Sequence, residues 1–399
     1  MNSIFKTYHI VYSFSYSLDD KLFFIYSNLL ENIINYGTSK MSKEEFNMKQ
    51  LSLYSTNIVL TKGRIGNLLF YKFILNIIDP KIVGDESLFL DSINLFNDFI
   101  FNRDNLTSEV FENVKNNYIN IIKTNMYDTS SLVRYEQTYN LWKDTYPILL
   151  IEDEIERIKN ITKEDIINYY KFIMSSYTKT LEYDGAFTTK EKHILVKRFK
   201  EYEYTSLYPY LKPNFKNFKE IVTSNDTSQT FIFLSYYIDT SKEYIQDLAL
   251  SVASIILGGN FSSILIQTIR EKYNLAYSIS SNYDKYSGIL SIRAGVDNSR
   301  DGFAYEKIKE IVSLFVKEGT SNKSLIHHAF RDILDSYDNL DDQQYKITSN
   351  LYNKKYLLDR KNKKEILEYK KIIDNDFIKK TLSNITPVLF MISKGTKNE

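Results

Sequence analysis

Residues 257–281, LGGNFSSILIQTIREKYNLAYSISS, and the nearby 287–297, SGILSIRAGVD, decide the fold. A helix arriving from about residue 240 must stop at Gly258-Gly259, where side chains vanish and a left-handed cap becomes accessible. A short helix fits 262–271. Small, aromatic and β-branched residues then alternate over 276–283 and 289–296, which reads as a strand pair with Gly288 at its turn. Upstream, QTFIFLSYYI (229–238) is a strand by propensity, and Asp239 or Thr240 can cap the next helix. Downstream the pattern is helical from 297 to about 384, and PVLFMIS (387–393) closes as a strand. The charged run DRKNKKE (359–365) fits a solvated helix start.

The stretch SLYPYLKPNFKNF (206–218) holds two of the five prolines, Pro209 and Pro213, each lacking an amide donor and pushing its predecessor out of helical geometry. It reads as a linker between 1–205 and 219–399, each a plausible domain. The first part repeats the order of the second: an extended opening, a helix over 22–36, strands near 53–60 and 67–74, then helices. Phe89, Ile93, Phe96 and Ile100 fall at helical spacing and predict one buried stripe. Thr162 and Asp165 predict a capping box opening a helix with Ile166, Tyr169 and Tyr170. Two α+β halves of like order suggest a duplicated domain.

The chain has 399 residues, 43% hydrophobic and 25% charged, enough to bury sizeable cores. A net charge of +1 provides no field to gather nucleic acid or anionic lipid. The 33 tyrosines would suit an RNA-stacking surface only with a basic excess that is missing. Cysteine is absent, which excludes disulfides, cysteine zinc sites and cysteine nucleophiles, and fits a reducing cytoplasm. No window of 18 consecutive apolar residues predicts a membrane span, and residues 1–17 lack the pattern of a signal peptide.

Taken in order, 257–297 resembles the C-terminal domain of M16 peptidases and mitochondrial processing peptidases. That family shows a glycine-bearing loop, a Ser-Ser helix start, an Arg-Glu-Lys segment and a Leu-Ala-Tyr-Ser strand, matched here at Gly258-Gly259, Ser262-Ser263, 270–272 and 275–278. The resemblance implies two α+β domains, each with helices on a mostly antiparallel sheet.

Active members of the family carry His-x-x-Glu-His shortly before Gly-Thr. Two imidazoles one turn apart hold a zinc ion, and the Glu polarises the attacking water. Here Gly37-Thr38 supplies the anchor, and counting back gives Asn28-Leu29-Leu30-Glu31-Asn32. The Glu stands, and both histidine positions carry Asn. The segment 41–64 continues the likeness. The family's third ligand, a Glu, has its counterpart near 121–124, IIKT, which holds no carboxylate; Glu109 and Glu112 lie upstream. Amide oxygens are weak donors for zinc beside imidazole and carboxylate, so no metal is expected in this chain. Its four histidines offer no substitute: His327 and His328 point about 100° apart on a helix, His9 sits in a strand and His193 among surface charges.

Other residues admit two readings. Glu31 is a relic or a local helix hydrogen-bonder, and Asn28 and Asn32 can pair by their side chains. By resemblance, Arg270 and Tyr277 reach substrate near a zinc ion, including one held by a partner chain; alternatively Arg270 makes an ion pair on its helix and Tyr277 packs in the sheet. Gly258, Gly259 and Asn260 form a substrate-contacting loop or a helix cap with a left-handed glycine. The expectation is a non-catalytic subunit of a cytoplasmic heterodimer whose partner is a zinc-binding M16 subunit, acting on a peptide such as a bacteriocin precursor. A scaffolding subunit, and a peptidase using an unrecognised metal site, are the alternatives.

Overall fold

The computed structural model describes residues 4–38, 40–101, 106–204, 207–239, 243–338, 343–357 and 363–397. Thr240, Ser206 and the start of the 359–365 run lie outside them. Among the described residues nine strands form two sheets: β1 (Thr7–Ser17), β2 (Asn57–Ile65), β3 (Leu68–Ile78) and β4 (Thr178–Asp184) in the first, β5 (Lys219–Asn225), β6 (Gln229–Tyr237), β7 (Ala276–Asp284), β8 (Ile289–Asp297) and β9 (Thr386–Gly395) in the second. The orders are β2-β3-β1-β4 and β5-β9-β6-β8-β7. Every pairing is antiparallel except β5 with β9. The architecture is α+β.

Two compact units result, and they cut across the expected division into 1–205 and 219–399. One comprises 1–124, 151–209 and 339–360; the other comprises 125–150, 210–338 and 361–399. The chain passes between them at Pro209-Tyr210, inside the predicted linker, of which 207–218 carries neither helix nor strand. The helix Thr129–Trp142 belongs with the second sheet and the helix Gln344–Tyr356 with the first. A sheet has two faces, and the remaining helices of each unit leave one to be covered.

In the first unit the core face of β1 presents Tyr8, Ile10, Tyr12 and Phe14, opposite Ile77, Leu75, Phe73 and Tyr71 of β3. The stripe Phe89, Ile93, Phe96 and Ile100 of the helix Leu88–Phe101 is buried in this unit, with Phe89 edge-on to Tyr8. The Thr162–Asp165 capping box forms, with Asp165 N–H donating to Thr162 Oγ1 at 3.2 Å and Thr162 N–H to Asp165 Oδ2 at 2.9 Å. The strand expected from residue 53 starts later: Leu53 caps the helix Lys43–Ser52, and Tyr54 and Ser55, at φ 53° and 60°, turn the corner into β2.

The opposite face of the first sheet is polar, and the helix Gln344–Tyr356 lies on it. Tyr352 Oη sits 2.7 Å from Ser15 Oγ, and Gln344 Nε2 donates to the Thr7 carbonyl at 2.6 Å. The Lys72 ammonium lies over the rings of Phe70 and Tyr352, at 4.8 and 4.6 Å. Ser13 Oγ donates to Glu182 Oε2 at 3.2 Å.

In the second unit Ile232 and Leu234 of β6, Ile292, Ala294 and Val296 of β8, and Leu250, Val252 and Ile256 build the core. Its entry helix starts at Tyr244 after an N-cap Glu243 that makes no side-chain cap bond, so the expected Asp239 cap is not used. The helix continues to Ser254 and passes into a wider π-type turn over Ile255–Gly259.

Burial pushes the Glu182 carboxyl up to about 7 from its ordinary 4.5, with Lys72, Ser13 and Thr180 pulling the other way. The unfolded chain loses this proton first as pH rises, so the folded state forfeits stability between the two values and carries the full penalty above the upper one. Replacing it by Glu182→Gln should remove this loss. Unfolding free energies measured from about pH 5 to about pH 8 should diverge by up to roughly 3 kcal/mol in the variant's favour. Parallel curves would mean that Glu182 is ionised throughout.

Candidate functional site

The helix Phe23–Asn35 carries residues 28–32, aligned above with the zinc motif by resemblance, and its start is fixed by Asp20. Asp20 Oδ1 accepts the N–H groups of Leu22 and Phe23 at 2.9 and 3.2 Å, while Oδ2 accepts the hydroxyls of Tyr169 and Tyr177 at 2.9 and 2.6 Å. Leu29, Leu30, Ile33 and Ile34 turn into the core, leaving Asn28, Glu31 and Asn32 half-buried. Past the helix, Gly37 has φ +149°, and a Cβ there would meet the Met41 carbonyl oxygen at 2.9 Å. The anchor therefore requires glycine.

Side chains also tie this region to β2. Asn35 spans Leu60, donating to its carbonyl at 2.9 Å and accepting from its N–H at 2.8 Å. Gln50 Oε1 accepts the Ile58 N–H at 2.7 Å.

Asn32 Nδ2 donates to the Asn28 carbonyl at 2.8 Å. Asn32 thus bonds to the Asn28 backbone rather than to its side chain, against the side-chain pairing that their spacing offered. Burial raises the Glu31 carboxyl, opposed by the Lys62 charge. Burial likewise raises Glu154, opposed chiefly by Arg157. The Lys62 ammonium, lowered by burial and held up by Glu31 and Glu154, lies 5.7 Å from the centre of the Phe23 ring. Arg157 pairs with Glu154 and donates to the Phe24 carbonyl at 2.7 Å.

Glu154 and Lys62 were missed in the sequence. Glu154 had a signal: with Ile151, Ile155 and Ile158 it completes an i, i+3, i+4, i+7 stripe, so it stands where an apolar residue belongs. Residues 121–124 end the helix Ser108–Asn125, with Ile121 exposed. The start of that helix brings Glu109 into a cleft of about 270 Å³ shared with Ile33, Ile34, Gly37 and Thr38, while Glu112 pairs with Lys115 at 3.1 Å. His9 is buried against Asn76, and His327 Nδ1 lies 3.3 Å from Lys370 Nζ. Among the described residues no three His, Cys, Asp or Glu side chains converge as a metal site.

The second candidate region lies in the other unit. Gly258 has φ −162° rather than the left-handed value expected of a cap. It is glycine because a Cβ would meet the Ser281 nitrogen of β7 at 2.7 Å. Asn260 is occupied internally: Nδ2 donates to Asp332 at 2.6 Å, and Oδ1 accepts from the Ser262 N–H and hydroxyl at 3.1 and 2.9 Å. Arg270 lies in the last turn of the π-type helix Ile266–Lys272 with its side chain 45% exposed, 3.6 Å from Glu271 and 6.0 Å from the centre of the Phe261 ring. Tyr277 is 53% exposed rather than packed into the sheet. It sits where the pairing of β7 with β8 slips, the bulge turning it outward, and its hydroxyl lies 3.5 Å from Asp297 Oδ2.

Residues 160–325 match the family described as Peptidase M16 inactive domain. The chain is 32% identical over 117 residues to the Uncharacterized zinc protease YmxG of Bacillus subtilis (strain 168) and 33% identical over 120 residues to the Non-peptidase homolog YmxG of Helicobacter pylori (strain ATCC 700392 / 26695). Each match takes in 29% of this chain, and the chain spans 28% and 27% of those relatives' lengths. A conserved protein from Enterococcus faecalis V583 has the same fold at a TM-score of 0.87, with 17% identity, covering 100% of this chain and 96% of that one. The peptidase M16 inactive domain from Pseudomonas fluorescens follows at 0.77 and 14%, covering 100% and 94%. Residues 160–325 thus match the M16 inactive-domain family, and the chain as a whole shares its fold with these solved structures. Among the described residues no helix is long and apolar enough to cross a membrane.

Two glycines separate close approach from mere presence. Gly258→Ala should destabilise the protein by roughly 1–3 kcal/mol in chemical denaturation, because β7 backbone must move. Gly302→Ala, in the helix Asp301–Glu318 with nothing within 4 Å of the added carbon, should instead stabilise by roughly 0.5–1 kcal/mol.

Proposed function

We propose that this chain is a non-catalytic M16 subunit that works with a separate zinc-bearing M16 chain. The observation that carries the reading is the state of the motif helix. Zinc in such sites takes imidazole nitrogen and carboxylate oxygen, but residues 28 and 32 offer amides, and that of Asn32 is bonded to the Asn28 carbonyl. Burial raises the Glu31 carboxyl, and the Lys62 charge opposes that rise. These residues do not fit a zinc ion, so Glu31 has no metal-activated water to deprotonate.

The second unit keeps exposed groups suited to a peptide. An Arg270 guanidinium can hold a carbonyl or carboxylate, and the Tyr277 hydroxyl can donate to an oxygen that gains charge during attack. In this reading both reach the partner's cleft. The substrate is an extended peptide, with a bacteriocin precursor as the class we favour, and the pair acts in the cytoplasm.

The test is reconstitution with an M16 chain carrying intact His-x-x-Glu-His and encoded beside this one. Peptidase activity should appear only on mixing, and the lone chain should purify without stoichiometric zinc. Arg270→Ala and Tyr277→Phe should each lower kcat/KM of the mixture by at least about tenfold while leaving co-purification intact. Full activity from both variants would remove their proposed role; activity of the lone chain would remove the whole reading.

A further inference from the structure

The outermost strand of a sheet is a template for another strand, and folded proteins guard such margins. Among the described residues three of the four margins here are guarded. On β2 the N–H groups of Ile58 and Leu60 have side-chain acceptors. Beside β4, Tyr202 exchanges both backbone bonds with Lys179, at 2.7 and 3.1 Å, and Glu201 Oε1 accepts the Leu181 N–H at 3.1 Å. β7 is broken by the bulge at Tyr277 and crowded at Ser281 by Gly258.

β5 is the exception. It ends the second sheet with β9 on one side only, and among the described residues no bond from another element reaches the backbone on the open side of residues 219–224. Its charges do not guard it. Lys219 Nζ is drawn back to Asp144 Oδ2 at 2.6 Å and to the Asn140 carbonyl at 3.2 Å, and Glu220 Oε1 accepts the Tyr305 hydroxyl at 2.6 Å. The middle of the strand shows Val222, 61% exposed.

We propose that β5 is an interface between two copies of this chain, paired antiparallel about a two-fold axis at Val222 so that two five-stranded sheets become continuous. In that register the strand complements itself: Val222 faces Val222, Ile221 faces Thr223, Glu220 faces Ser224 and Lys219 faces Asn225. An axis at Glu220 would set that carboxylate against itself, one at Thr223 would set it against Asp226, and one at Ile221 would set it against Val222. A net charge of +1 creates no long-range repulsion between copies. Seven strand residues per copy make a small interface, so the dimer should be weak, with a Kd on the order of 10 µM. Neither the motif helix nor a zinc-bearing partner enters into this pairing, so it and the two-chain reading can fail separately.

Sedimentation velocity of the full chain from about 1 to about 200 µM should show monomer passing into dimer. Val222→Lys sets two ammonium groups against each other at the axis and should raise Kd at least about tenfold, with the circular dichroism spectrum and melting temperature unchanged. The chain has no cysteine, so a single one reports the register. Val222→Cys should give a disulfide-linked dimer on mild oxidation, since residues directly opposite sit about 5 Å apart at Cα. Ser224→Cys, about 13 Å from its own counterpart, should not. A chain monomeric across the whole range, undiminished dimerisation of Val222→Lys, or equal cross-linking at 222 and 224 would overturn the proposal. A monomer whose Val222→Lys variant loses only the activity of the reconstituted peptidase would overturn it too, and would assign the margin to an extended peptide instead.

Discussion

A carboxylate with almost no access to water sets the geometry of the first unit. Asp20 satisfies two backbone N–H groups at the head of the motif helix and two tyrosine hydroxyls from the chain that follows it far downstream. An isolated helix of thirteen residues is marginal in water. Pinned at its head by Asp20 and at its tail by Asn35, this one holds Asn28, Glu31 and Asn32 at fixed depth beside β2 and the helix Ile151–Asn160.

What the sequence made legible was local. A capping box, a buried stripe, a strand pair and a degenerate motif are each written within a few residues of one another, so propensity and periodicity recover them. The exchange of the helices Thr129–Trp142 and Gln344–Tyr356 is different in kind. A helix reads the same whichever sheet it covers, and the choice rests on which face is left open. Gly258 shows a similar limit: its type was visible, but the cause is the approach of β7, more than twenty residues downstream, and not the left-handed cap that neighbours alone suggest.

The candidate residues divide along the same line. The asparagines announced themselves by spacing, because the family motif is contiguous. Lys62 and Glu154 did not, since Lys62 acts on Glu31 by its charge and Glu154 pairs with Arg157, relations that a motif scan does not read. Glu154 interrupts an isoleucine stripe, and such an interruption marks a buried acid that must find a partner. Tyr277 was placed correctly in a strand, but only the slip in register between β7 and β8 turns it outward.

The border of the first sheet has one more implication. On β2 the N–H groups of Ile58 and Leu60 are taken in succession by Gln50 and Asn35. An unpaired strand edge ordinarily invites another strand to zip along it. Here the rungs are stoppered by the protein's own side chains, so this margin is shut both to a guest polypeptide and to runaway association between copies, and any incoming chain has to find its ladder elsewhere.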